Sequence, residues 1–160
     1  MDDAVLRERL VALLAGEGAH VAVAKAFARV PQALRTSRPR GFEHSLWELL
    51  EHMRSAQEDI LRWTLEAGWT SPAWPEGYWP KSNPKRLQPR AWEKSLASFD
   101  KDLEAVIALV RDRRLDLSSD IPHAPGVSYL QEVLLVADHN AYHLGQVVDL
   151  RRALGSWPPR

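Results

Sequence analysis

The sequence predicts an all-α fold, a four-helix bundle, on three observations. Apolar residues recur every three or four positions through four separate stretches, which is the period of one helix face. Two of those stretches open with Ser-x-x-Glu or Ser-x-x-Gln, a pattern in which the two side chains reciprocally satisfy free backbone amides at a helix start. No stretch shows the apolar and polar alternation of a half-buried strand.

The first helical stretch is expected from about Asp3 to Leu34. Val5, Leu6, Leu10, Leu13 and Leu14 form one face, and Val21, Ala24, Phe27 and Ala28 continue the stripe. Gly16 and Gly18 break or bend it, Pro31 weakens its end, and His20 falls at the junction. The second helix opens at the capping box Ser45-Leu46-Trp47-Glu48. Leu46, Leu49, Met53, Ala56, Ile60 and Trp63 make its inner stripe, and Gly68 is a natural stop.

Between Trp69 and Pro89 the chain carries five prolines and three tryptophans in 21 residues. That proline density excludes a continuing helix or a central strand. The aromatic residues need a surface to pack on, so an ordered crossover over the bundle is expected, with Trp74, Tyr78 and Trp79 as candidate pocket walls. The third helix follows Trp92, Leu96, Phe99, Leu103, Val106 and Val110, spaced alternately by four and three. It gives way to a loop through Ser118, Pro122 and Pro125 in which His123 is expected to be exposed. The box Ser128-Tyr129-Leu130-Gln131 opens the fourth helix, which runs to about Leu154 and stops at Gly155.

At 160 residues, positions 1–160 are expected to form a single domain with a core of its own. Lysine plus arginine equals aspartate plus glutamate at 21 each, so no net charge favours nucleic acid or an acidic membrane. The basic cluster Lys81, Lys85, Arg86 and Arg90 reads as a solvated loop. There is no cysteine, which excludes disulfides, thiolate metal sites and a cysteine nucleophile. No secretory segment and no apolar run of the roughly 20 residues that span a bilayer is evident, so a cytoplasmic protein is expected.

The chemistry-bearing residues lie on the fourth and second helices. His139 and His143 are one turn apart and share an arc with Val136, Gln146, Val147, Leu150 and Leu154, so both imidazoles face inward. Taken alone, such a pair is either hydrogen-bonded core or two ligands of a metal. On the second helix, His52 lies one turn after Glu48 and one before Ala56, at the edge of the apolar stripe, with Asp59 two turns along the same side. His44 precedes the capping serine, so His52 ranks above it as third ligand. His52 is 15 residues before Ala67 and His143 is 15 after Ser128, which puts both at one level if the two helices are antiparallel.

Three neutral imidazoles around a divalent ion leave an open coordination position, the pattern of a catalytic rather than a structural zinc site. Such a position can activate water or polarise an anionic ligand, and imidazole suits zinc, nickel, copper and iron alike. Gln146, Tyr142 and Asp59 are candidates to orient the ligands or to face a substrate, with Glu48 as a further candidate that reads better as an ordinary polar contact.

The segments Ser45 to His52, Trp74 to Pro80 and Asp138 to Gln146 together resemble the DinB-like (DinB/YfiT) superfamily, over nearly the whole chain and in the same order. The resemblance implies a four-helix bundle, often a homodimer, with a divalent metal held by His52, His139 and His143. Relatives with known activities use low-molecular-weight thiols, as in mycothiol-dependent maleylpyruvate isomerase and bacillithiol S-transferases. The expectation is therefore a metal-dependent S-transferase, isomerase or hydrolase on a small organic substrate. With no cysteine in the chain, a thiol nucleophile has to arrive as a cosubstrate. The competing expectation is a non-catalytic homodimeric bundle whose metal is structural or absent. Direct binding of nucleic acid or membrane is not expected.

Overall fold

A computed structural model describes residues 2–159. The protein is mostly helical: α1 (Asp3–Leu14), α2 (Val23–Phe27), α3 (Leu46–Leu65), α4 (Ala91–Arg111) and α5 (Tyr129–Ala153), with single 3-10 turns at Gln32–Leu34 and Glu76–Tyr78. Among the described residues the only strands are β1 (Asp120–Ile121) and β2 (Ala124–Ser128).

The capping box at Ser45 forms as its sequence implies. Ser45 Oγ accepts the Glu48 amide at 3.3 Å and Glu48 Oε2 accepts the Ser45 amide at 2.8 Å. Arg38 then closes over the Glu48 carboxylate. With its start pinned, α3 turns Leu46, Leu49, Leu50, Met53 and Ala56 into the core, and His52 and Asp59 are buried with them. At the head of α5 the serine half of the second box is present, Ser128 Oγ accepting the Gln131 amide at 3.2 Å. The helix ends at Ala153, and Gly155 just beyond it has a φ of +67°, the left-handed conformation that suits glycine after a final turn.

Two expectations are corrected, the inner face of α1 and the loop before α5. The first stretch breaks where its glycines imply, with α1 stopping at Leu14 and the chain turning at Gly16. There φ is +76°, and a Cβ would stand 2.6 Å from the Ala22 Cα. Helical periodicity in the sequence survives the break, since α2 resumes an inward face of its own with Val23, Ala26 and Phe27. Val5 and Leu13, assigned to the inner face, are 44 % and 39 % exposed, and Arg7 is buried in their place. Its guanidinium donates to the carbonyls of Val110, Asp112 and Leu115, tying α1 to the end of α4.

The second correction is the hairpin. β1 and β2 pair antiparallel through Asp120 opposite Ser128 and Ile121 opposite Ala124, inside the segment expected to be loop. The five residues of β2 carry a proline and no alternation to betray a strand. His123, expected to be exposed, is half-buried and its Nε2 donates to the Trp63 carbonyl at 2.7 Å.

Side-chain pairings fix the helix directions. Ser95 bonds Glu51 and the Gln57 amide bonds the Phe99 carbonyl, so α3 and α4 run the same way. His52 meets His139 and His143, whereas Trp63 meets His123 just before α5, so α3 and α5 run oppositely. The 66–90 segment joins the end of α3 to the start of its parallel neighbour and therefore returns along the length of the pair.

Apolar contacts fall into two clusters. One gathers α2, the first half of α3 and α4, and the second half of α5 around Phe27, Leu46, Phe99 and Leu150. The other gathers α1 and the opposite halves around Leu10, Leu61, Val110 and Val136. Between them Asn140 donates to Gln57 Oε1 at 3.0 Å, and Gln57 donates to the Phe99 carbonyl at 2.7 Å. The three histidines from α3 and α5 occupy the same level.

Candidate metal centre

His52, His139 and His143 converge through their Nε2 atoms. His52 Nε2 is 3.0 Å from His143 Nε2 and 3.1 Å from His139 Nε2. Two nitrogen ligands on a tetrahedral zinc at about 2.05 Å would be about 3.3 Å apart, so the spacing is close to that of an ion-binding set. His52 and His143 are buried, 3 % and 6 % exposed, and His139 is half-buried.

Their other ring nitrogens show which tautomers are present. His52 Nδ1 lies 3.2 Å from the Tyr78 backbone carbonyl, and His143 Nδ1 lies 2.8 Å from Gln146 Oε1. A carbonyl oxygen only accepts, so both Nδ1 atoms carry the proton and both Nε2 atoms present bare lone pairs. Two lone pairs aimed at each other across 3.0 Å repel unless a cation or a shared proton lies between them.

A proton is disfavoured there. Burial, followed by the nearby His143 charge, pushes the His52 imidazole down to about 4. Burial and the two neighbouring histidines push His139 down to about 3. His143 is also lowered, by burial against the opposing bond to Gln146. The neutral imidazoles this leaves near pH 7 are the form that binds a metal, and the donor set fits a divalent ion of the zinc, nickel, copper or iron type.

The 66–90 segment is fastened to this centre. Asp59, one of the carboxylates considered for an imidazole, instead accepts the Trp69 indole N–H and the Tyr78 hydroxyl, each at 2.7 Å. Burial and the bond to Asp59 push the Tyr78 hydroxyl up to about 12, so it stays a donor. Asp59 thus holds Tyr78, and the Tyr78 carbonyl holds His52. Glu48, the other carboxylate considered, is committed to Arg38 and Ser45.

Trp79 lies between two imidazoles, stacked on His52 at 3.9 Å and on His44 at 3.8 Å. His44 is therefore near the centre as a stacking partner rather than a ligand, and its position before the helix gave no sign of that. Tyr142 stands edge-on to His143 at 4.8 Å and is 65 % exposed. Trp74 is 78 % exposed and touches Tyr78 edge-on. The Tyr78 carbonyl is a backbone group, so no residue type in the sequence could have marked its role.

Helices that bring three histidines together at mid-length define a class of helical proteins with a candidate metal centre. The chain belongs to the DinB superfamily: the model of that family matches residues 15–147, which include all three histidines. No curated protein and no solved structure matches the chain.

Proposed function

We propose that the protein is a divalent-metal-dependent enzyme acting on a small organic substrate, with His52, His139 and His143 as the metal ligands. Support comes from the two Nδ1 protons committed to carbonyl acceptors, which leave bare Nε2 lone pairs converging on one point. A divalent ion bound there would act as a Lewis acid with an open position, lowering the pKa of a thiol or water. Gln146 and the Tyr78 carbonyl orient the imidazoles, Trp79 shields the outer face of His52, and Tyr142 faces the approach beside His143.

Because the chain has no cysteine, thiol chemistry here uses a low-molecular-weight thiol as cosubstrate, in an S-transferase, isomerase or hydrolase reaction. The long helices α1, α3, α4 and α5 then make the four-helix bundle of a single domain, and the 66–90 segment is the crossover that walls the pocket. A homodimer is part of the same proposal, supported by exposed Leu134 and Tyr142 on α5. So is a cytoplasmic location, where small thiols stay reduced. Among the described residues no helix is long and apolar enough to cross a membrane.

Metal analysis of protein purified without an affinity tag and then incubated with zinc or nickel tests the centre. About one ion per chain is expected, falling to background in His52→Ala and in the His139→Ala/His143→Ala double variant. Retention of the ion by the double variant, or no ion in the parent protein, removes the metalloenzyme proposal and leaves a non-catalytic bundle. Light scattering that finds a monomer removes the dimer alone.

A further inference from the structure

Along the groove between α3 and α5, away from the histidines, lies a cleft of about 250 Å³ walled by Asp59, Trp63, Ser71, Glu132 and Leu135. From His52 to Asp59, and from His139 back to Glu132, is about two helical turns, so the cleft is roughly 10 Å from the imidazoles.

The two carboxylates differ in their commitments. Both Asp59 oxygens already accept bonds, from Trp69 and Tyr78. Glu132 is only 8 % exposed, yet among the described residues it has no hydrogen-bond donor and no cationic partner. Its oxygens are not sealed in the core, since among the described residues Asn140 Oδ1 is the only fully enclosed side-chain atom without a partner. Glu132 lines the cleft beside Asp59.

Burial, and then the charge of Asp59, raise the Glu132 pKa. Its place in the first turn of α5 suits the helix dipole. That benefit is available to an exposed glutamate as well, and it does not account for a buried one set beside a second acid. An uncompensated buried carboxylate is costly, and a cation in the cleft removes both penalties.

We propose that this cleft is a second binding site, for an organic cation of the primary-amine class. Its ammonium sits between Glu132 and Asp59, and its apolar body lies against Trp63 and Leu135. An ammonium has three donors, for which Glu132, the Ser71 hydroxyl and the remaining Asp59 lone pairs are acceptors, and the Trp63 indole favours a cation nearby. Calcium or magnesium fits less well, because each takes about six or more oxygen ligands and only one carboxylate here is uncommitted. The site does not depend on a metal at the histidines, although Asp59 links the two through Tyr78.

The test is calorimetric titration of the full chain with 2-phenylethylamine, set against 2-phenylethanol and phenylacetate of matched size. The amine is expected to bind saturably and at least about tenfold tighter than the alcohol, with no binding of the acid. Glu132→Gln, similar in size, is expected to weaken the amine about tenfold or more while the circular dichroism spectrum is kept. Should that variant not fold, Leu135→Arg at the exposed rim places a competing cation in the cleft and is expected to abolish amine binding. Amide signals of residues 59–63 and 131–135 are expected to shift with the amine in NMR spectra. Absence of saturable amine binding, equal binding of the three probes, shifts confined to other regions, or amine binding that survives whichever variant folds overturns the proposal.

Discussion

The Nδ1 proton of His143 goes to a side chain, Gln146 Oε1, whereas that of His52 goes to a backbone carbonyl. Gln146→Leu therefore leaves His143 free to rotate and to change tautomer. Zinc affinity measured by competition with a chromogenic chelator is expected to fall about 10–100-fold, with Gln146→Glu recovering most of it. Equal affinity in the leucine variant would show that packing alone holds the ring. The inward phase of these histidines and of Gln146 was legible, because helical spacing specifies a face. Arg151 was not, since an arginine in the last turn of a helix ordinarily stands in water. It is 1 % exposed, with bonds to the carbonyls of Ala26, Ala28 and Ser156 and with Trp157 beneath its guanidinium. Replacing it by methionine strands those carbonyls. A loss of about 3 kcal/mol in urea unfolding is expected, and a change under about 0.5 kcal/mol would mean that water replaces the guanidinium without cost.

At the scale of elements, α3 was the most legible part of the chain. Its capping box sets where the helix begins, and the apolar stripe then dictates which residues turn inward. The break at Gly16 was legible from its glycines, whereas the β1–β2 hairpin was not. It depends on pairing across a proline-containing turn, which leaves no periodic trace. Proline density marked 66–90 as non-helical, but its fastening rests on Asp59, whose two bonds to Trp69 and Tyr78 become visible only with the fold. Asp59→Ala is expected to release the segment without unfolding the helices. Trypsin then cleaves after the exposed Lys81, Lys85 or Arg86 about tenfold faster than in the parent protein, because cleavage of an opened loop follows its population. Unchanged cleavage would place the anchorage elsewhere, in the stack of Trp79 on His44 and His52.

Across the whole molecule, two apolar clusters are joined through a polar layer at mid-length, where His52 on α3 faces His139 and His143 on α5. That layer sets lone pairs against each other, and Asn140 Oδ1 within it has no partner, so it is the least favourable level of the core. An ion bound by the native state alone ties α3 to α5 there and adds about 4 kcal/mol at a free concentration 1,000 times its dissociation constant. At about 2–4 °C per kcal/mol for a chain of this size, zinc is expected to raise the melting temperature by roughly 8–16 °C. The shift should keep growing with the logarithm of zinc concentration, because linkage does not saturate when the site fills. In the His139→Ala/His143→Ala variant the melting temperature should not respond to zinc, while the repulsion among lone pairs is also relieved. Its zinc-free form is therefore expected to melt no more than a few degrees from the zinc-free parent, within the roughly 1 kcal/mol of an ordinary substitution. A zinc response that persists in the variant would locate the stabilising ion away from the three histidines.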